Sequence, residues 1–233
     1  MKRNQSGFTL IEIAIVLVII GLLLGGVLKG QELINSAKVK NLATDFRNIP
    51  IYIYGYQDKF RALPGDDACA YTGASCVNAH LVTPTTNGVP NGNGDGVIGG
   101  NWSDTATTSE AYNFWQHVRQ AGLAPGATDP TGDYRPTNAL GGAIGVQSGT
   151  STVTNSPILD SGGNPIRGSY IVCSSGILGK FVKQLDIQMD DGVTDSGSMM
   201  AEPTGTALGK KATPTTGTNG IDDAASYTVC MGV

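Results

Sequence analysis

Phe8-Thr-Leu-Ile-Glu12-Ile-Ala-Ile-Val-Leu-Val-Ile-Ile-Gly21-Leu-Leu-Leu-Gly25-Gly26-Val-Leu28 decides the architecture of this 233-residue chain. Residues 8–28 carry one charge, Glu12. A helix of that length, at about 1.5 Å per residue, spans roughly 30 Å, the hydrocarbon thickness of a bilayer. The rest of the chain has no comparable apolar run. The reading is therefore one membrane-length N-terminal helix followed by a polar remainder. That remainder is rich in turns, since the chain holds 33 glycines, about twice the usual share of about 7%, and 11 prolines. So many breakers argue against an all-helical bundle, and no Gly-X-Y period points to collagen. The net charge of −4 lacks the basic footprint of a nucleic-acid binder.

Upstream of the apolar run, Met1–Gly7 contains Lys2 and Arg3 and no acid. A secretory signal peptide has a shorter apolar region, about 7–15 residues, with a small-residue cleavage site after it. Here the small residue, Gly7, comes first. An ordinary signal anchor with its basic flank in the cytoplasm is the simplest alternative. Glu12 argues against it, because a carboxylate within a membrane segment is costly and marks function by default. Either Glu12 lies shallowly and reaches the headgroups, or it has a charged partner. A cut after Gly7 supplies one: the new amine of Phe8 lies four residues from Glu12 in its own chain, and a neighbouring copy brings another.

Gly7-Phe8-Thr9-Leu10-Ile11-Glu12, with a short basic leader before it and an apolar run after it, resembles the processing motif of type IV pilins and type II secretion pseudopilins. The resemblance covers roughly residues 1–60. It implies that a prepilin peptidase cuts between Gly7 and Phe8, that Phe8 is methylated on its amine, and that Glu12 is the carboxylate needed for assembly. It also implies an inner-membrane precursor, and a homopolymer joined through the stem helices by a pilus assembly or secretion machinery. The extracellular product is a pilus fibre (fimbrium) serving adhesion or motility. A minor pilin or a pseudopilin is the alternative, and a single-pass membrane-anchored binding protein the weaker one. Many major pilins have a proline in the apolar half of the stem, whereas this chain has none before Pro50. Gly21, Gly25, Gly26 and Gly30 lie there instead, each lowering helix stability by about 1 kcal/mol relative to Ala in water. They suit close helix packing, or local unwinding of Gly21–Gly30 during assembly.

These readings divide the chain into a leader (1–7), a transmembrane and assembly helix (8–28), a soluble half of the stem (29–64) and a head (65–233). Leu33, Ile34, Ala37, Leu42 and Phe46 continue a helical apolar face. Pro50 should kink or end that helix near Asn48. Residues 51–60 resume it in one reading, whereas Ile51–Tyr54 alternates as a strand would, and Leu63-Pro64-Gly65-Asp66-Asp67 is a stop.

In the head, Thr107 with Glu110 three residues on has the pattern of a capping box. Ala111, Phe114, Trp115 and Val118 then predict a helix over 108–121 with a core-facing stripe, ended by Gly122. A second helix is expected over 176–189, and strands over 143–147, 169–173, 198–201 and 226–231. Most of 125–166 reads as loops. The fold class is α+β, a long helical stem with a head of antiparallel sheet, short helices and long loops.

Cys69, Cys76, Cys173 and Cys230 all lie in the head. An even number in an exported domain points to two disulfides, for which sequence allows three pairings. Cys69 and Cys76 enclose six residues and are natural partners. That leaves Cys173 with Cys230, which end the similar strings Ser-Tyr-Ile-Val-Cys and Ser-Tyr-Thr-Val-Cys. Zinc is the competing use, but Cys69 and Cys76 lack the usual ligand spacing.

Two acidic stretches are candidates for calcium. Asn91, Asn93, Asp95, Gly96 and Val97 match positions 1, 3, 5, 6 and 7 of a calcium loop, with Val97 offering its carbonyl. The bidentate acid is missing, for Trp102 stands at position 12 and Asp104 slightly beyond. A glycine-rich turn braced by Asn and Asp is the plain alternative. The second stretch contains Asp186, Asp190, Asp191 and Asp195. Like charges at i, i+4 repel, and acids at a helix C-terminus face the negative end of its dipole. A cation relieves both; a solvated loop capped by Gly192 is the alternative. No enzyme is expected, because neither His80 nor His117 stands in a recognisable catalytic motif.

Overall fold

Helix α1, Leu10–Phe60, continues through Pro50. The computed structural model describes residues 10–72, 79–81, 90–129 and 134–233. The helix therefore does not end near Asn48, and Ile51–Tyr54 is helical, which is the reading that resumes the helix after Pro50. An interior proline costs a helix about 3 kcal/mol or more. Four large side chains bracket it on one face: Phe46, Ile49, Ile53 and Tyr56 are each at most 2% exposed. Burying each contributes about 1.5–3 kcal/mol, enough to outweigh the defect. Ile51 and Tyr54 point to solvent, so the local pattern has the period of a helix and not of a strand. Past Phe60, Arg61 turns left-handed (φ 57°), and its N–H bonds the carbonyl of Gln57 at 2.8 Å. Gly65 (φ +91°) then crosses the start of the next helix so closely that a Cβ would lie 2.4 Å from the carbonyl oxygen of Glu110.

The chain divides into two units, residues up to Lys38 and Val39–Val233. In the first, every described residue up to Lys29 is exposed. The second is α+β, with helices α2 (Glu110–Gln120) and α3 (Gly179–Met189) and strands β1 (Ile144–Ser148), β2 (Tyr170–Leu178), β3 (Met199–Pro203) and β4 (Ser226–Gly232). The strands form one sheet in the order β1-β2-β4-β3, with every neighbouring pair antiparallel.

Two expectations shift at their edges. Residues 176–178 belong to β2 and not to the following helix. After an irregularity between Ser174 and Ile177, Ile177 and Leu178 still pair with Tyr227 and Ser226. A short apolar run fits either element, and cross-strand pairing decided it. The capping box is also absent: Ser109 is the N-cap of α2 and makes no side-chain cap bond. The Glu110 carboxylate instead accepts the N–H groups of Asn93 and Gly99, at 2.9 and 2.8 Å.

The sheet separates two apolar clusters. On one face Val146, Val172, Met199, Ala201 and Val229 join the buried stripe of α1 from Val39 to Tyr56, Phe114 and Trp115 of α2, and Phe181 and Leu185 of α3. On the other face Ile171, Cys173, Met200 and Cys230 meet Ile158, Ile166 and Ala212. Alternate residues of each strand serve alternate clusters, as the pleat requires. Cys173 and Cys230 face one another across β2 and β4 and form a disulfide (Cα–Cα 4.1 Å), as the two similar strings suggest. Cys69 is disulfide-bonded as well; Cys76, its expected partner, lies outside the described residues.

Candidate functional site

The processing residues Gly7 and Phe8 also lie outside the described residues. Glu12 is in the first turn of α1. Around it, all residues from Leu10 to Leu28 are exposed, and the best stretch of the helix reaches a mean hydropathy of 2.8 with none of it buried. The helix is therefore long and apolar enough to cross a membrane, and its apolar surface has no cover from the described residues. The apolar run ends at an exposed ion pair, Lys29 with Glu32 at 2.6 Å. Gly21, Gly25, Gly26 and Gly30 are all helical, and a Cβ at any of them would meet nothing within 4 Å. Among the described residues, then, nothing packs against them.

In the head, the stop sequence after α1 does more than end a helix. Asp66 is buried, and its carboxylate accepts three consecutive backbone N–H groups, from Gly94 (2.7 Å), Asp95 (3.1 Å) and Gly96 (2.9 Å). Gly92 lies against Asp66 so tightly that a Cβ would sit 2.2 Å from its backbone. The loop with calcium-like spacing thus folds around a carboxylate of the same chain. Its side chains brace it: Asn93 Oδ1 accepts the N–H of Asp95, Asp95 Oδ1 accepts that of Val97, and Asn93 Nδ2 donates to Asp95 Oδ2. Asn91 pairs with both backbone groups of Tyr71. These bonds are those of a braced turn.

Asp67, also buried, accepts from the Tyr56 hydroxyl and contacts His80 Nδ1, each at 2.7 Å, while its other oxygen takes the N–H of Cys69. It joins α1, the turn and His80. His117 is wholly buried on α2; its Nδ1 accepts the N–H of Gly65, and burial pushes its pKa down to about 4 against the pull of Asp67. Both histidines therefore hold loops to helices. Sequence reasoning read Asp66-Asp67 only as a stop; an acid doublet directly after a helix, with a glycine-rich loop later in the chain, was the available signal. Arg119 was missed too: it is buried, and its guanidinium donates to the carbonyls of Pro125, Ala127 and Tyr134.

Of the second acidic stretch, the structure gathers Asp186, Asp190 and Asp191 within reach of one another, and Asp195 is not of that group.

Comparison with known proteins bears on the N-terminus alone. Residues 2–28 match the family described as the prokaryotic N-terminal methylation motif. No curated protein and no solved structure matches the chain. The match contains Gly7, Phe8 and Glu12 together with the apolar run. By these residues the chain carries the prepilin signature of type IV pilins and pseudopilins.

Proposed function

We propose that this protein is a structural subunit of a type IV pilus. It enters the inner membrane as a prepilin, is cut between Gly7 and Phe8 by a prepilin peptidase, and is methylated on the Phe8 amine. It then polymerises with its own copies through residues 8–28 into an extracellular fibre. The observation that carries this reading is the conjunction of the methylation motif with a helical surface that is apolar from Leu10 to Leu28 and uncovered, Glu12 alone excepted. In a bilayer that surface is solvated by lipid. Outside one, exposure costs about 25 cal/mol per Å², so the stems must bury it against each other. Among packed stems the Glu12 carboxylate is in a low dielectric, where pairing with a cleaved amine counts for more than in water.

Processing is the direct test. Gly7→Ala should leave a larger, uncut precursor in the membrane fraction, and mass spectrometry of assembled material should find methylated Phe8 at the N-terminus. Fibres retaining Met1 would refute the reading.

A second reading, minor pilin or type II secretion pseudopilin, draws on the stem: α1 has no proline before Pro50 and stays helical across Gly21–Gly30. Imaging of surface fibres with this subunit tagged, with and without its gene, separates the two. Tag along the length of the fibres supports the first reading; fibre-free cells with a secretion defect on deletion support the second.

A further inference from the structure

Within the unit Val39–Val233, a cavity of about 200 Å³ lies where α1 meets α2 and β1. Buried Trp115 and Ile144 line it, together with Tyr52, Pro125 and Pro136. Asp45 is the one charged side chain among the described residues that line it. Its neighbours on the same face of α1, Asn41, Leu42, Asn48 and Ile49, carry no charge. The described ion pairs are Lys29–Glu32, His80–Asp67 and Lys183–Asp223, so none of them holds Asp45. Arg119 lies 5.9 Å from the Trp115 ring centroid, but it does not line the cavity, and its guanidinium is bound to three carbonyls. Burial pushes the Asp45 carboxyl up to about 6, with no hydrogen bond or cation to offset it. Burial, and then the charge of Asp45, raise the Tyr52 hydroxyl in turn, so this ring and the carboxylate are neighbours.

The chemistry of these walls selects an occupant. An anion would meet the Asp45 carboxylate with no cation beside it among the described lining residues. A wholly apolar molecule would strip the carboxylate of its remaining water, and burying an unpaired charge is costly. A metal ion requires several oxygen ligands, whereas these walls are mostly aromatic, proline and aliphatic. An organic cation satisfies both halves of the cavity: its charge faces the carboxylate and its carbon covers the apolar walls. Tyr and Trp rings attract cations, and more strongly where water is excluded. A primary ammonium brings three N–H donors that each need an acceptor, whereas a fully alkylated one brings none. Drug-sized ligands fill pockets of about 300–1,000 Å³, so the space here suits a group no larger than a side chain.

We propose that this cavity binds a small, fully alkylated ammonium ion of about the size of choline, with its positive nitrogen facing Asp45 and its methyl groups against Tyr52, Trp115 and Pro136. The occupant bridges α1 to Pro125, Pro136 and Ile144 of the head. Its source is either a free ion or the headgroup of a lipid, which share this chemistry. The site is independent of the pilus reading.

The test uses the full chain in an uncharged maltoside detergent, titrated with choline chloride by calorimetry and ligand-observed NMR. One choline should bind per chain, about tenfold or more tightly than its neutral isostere, in which a quaternary carbon replaces the nitrogen. Ethanolamine, with its three N–H donors, should bind more weakly than choline. Asp45→Asn keeps the shape of the side chain and removes its charge. It should weaken choline binding about tenfold and leave the neutral isostere unaffected. Tyr52→Leu should weaken choline binding about threefold. Thermal unfolding of both variants without ligand verifies that they are folded. Glycerophosphocholine binding as tightly as choline identifies a lipid headgroup as the source, and its rejection identifies the free ion. Absence of choline binding by the folded wild-type chain overturns the proposal. Equal affinity for the neutral isostere or for ethanolamine overturns it as well, as does wild-type choline affinity in Asp45→Asn.

Discussion

Between Leu10 and Leu28 helix α1 leaves Leu22 74% and Leu28 67% exposed, whereas between Val39 and Tyr56 it buries Leu42, Phe46, Ile49 and Ile53 almost completely. The backbone is the same in both stretches; the distribution of apolar residues is not. The first stretch is apolar all round, as a helix with no water on any side requires. The second confines its large apolar residues mainly to one stripe and gives the other positions to Lys40, Asn41, Thr44 and Arg47. Each stretch also holds an acid. Glu12 sits in the apolar run, and Asp45 sits beside the buried stripe, where burial pushes its carboxyl up to about 6. One helix thus contains an apolar surface left exposed and an apolar surface buried within the head.

That contrast can be broken most severely at Glu12. Glu12→Ala should leave cleavage largely intact yet abolish or strongly reduce incorporation into fibres, read from immunoblots of sheared surface fractions against the membrane pool. Normal fibre yield would remove the assembly role from the first stretch.

A pair of truncations sharpens the comparison. Phe46→Ala should destabilise the head by about 3–5 kcal/mol, the usual cost of emptying a buried Phe site. Leu22→Ala should change head stability by no more than about 0.5 kcal/mol, because its side chain is largely exposed. Denaturant unfolding of the detergent-solubilised chain, followed by tryptophan fluorescence, compares them. Equal losses would show that the two stretches unfold as one cooperative body.

The smallest expected effect concerns Asp45. Its folded carboxyl titrates near 6 against an ordinary 3.8, so between those values the folded state holds more protons than the unfolded one. The stability this contributes is full below about pH 4 and is lost as pH rises through about 6. Asp45→Asn should therefore gain on wild type as pH is raised from about 4 to about 7. Unfolding curves that stay parallel across that window would show that Asp45 is solvated as freely as an exposed acid.

Short-range patterns were enough for much of this. The apolar run, the prepilin residues around it, the faces of α2 and α3 and the approximate places of all four strands are written in residue order, since each depends on periodicity over a few turns or a few residues. The likeness of residues 169–173 to 226–230 even pointed to the pairing that places Cys173 against Cys230. Where sequence reasoning failed, a distant partner had intervened. Pro50 is a breaker by its own chemistry, and only the core gathered around Phe46, Ile49, Ile53 and Tyr56 keeps it within a helix. Glu110 has the spacing of a capping residue, yet the loop at Asn93 and Gly99 takes its carboxylate. Asp66 lies 28 residues before Gly94, and no local rule foretells that a loop of metal-site spacing will close on that carboxylate. The three carboxylates at the end of α3 come from one short stretch of chain and were visible as charges. That Asp186 is buried with an oxygen left without a donor was decided by the packing of α3 against the sheet, because burial is a property of the whole fold and not of any segment.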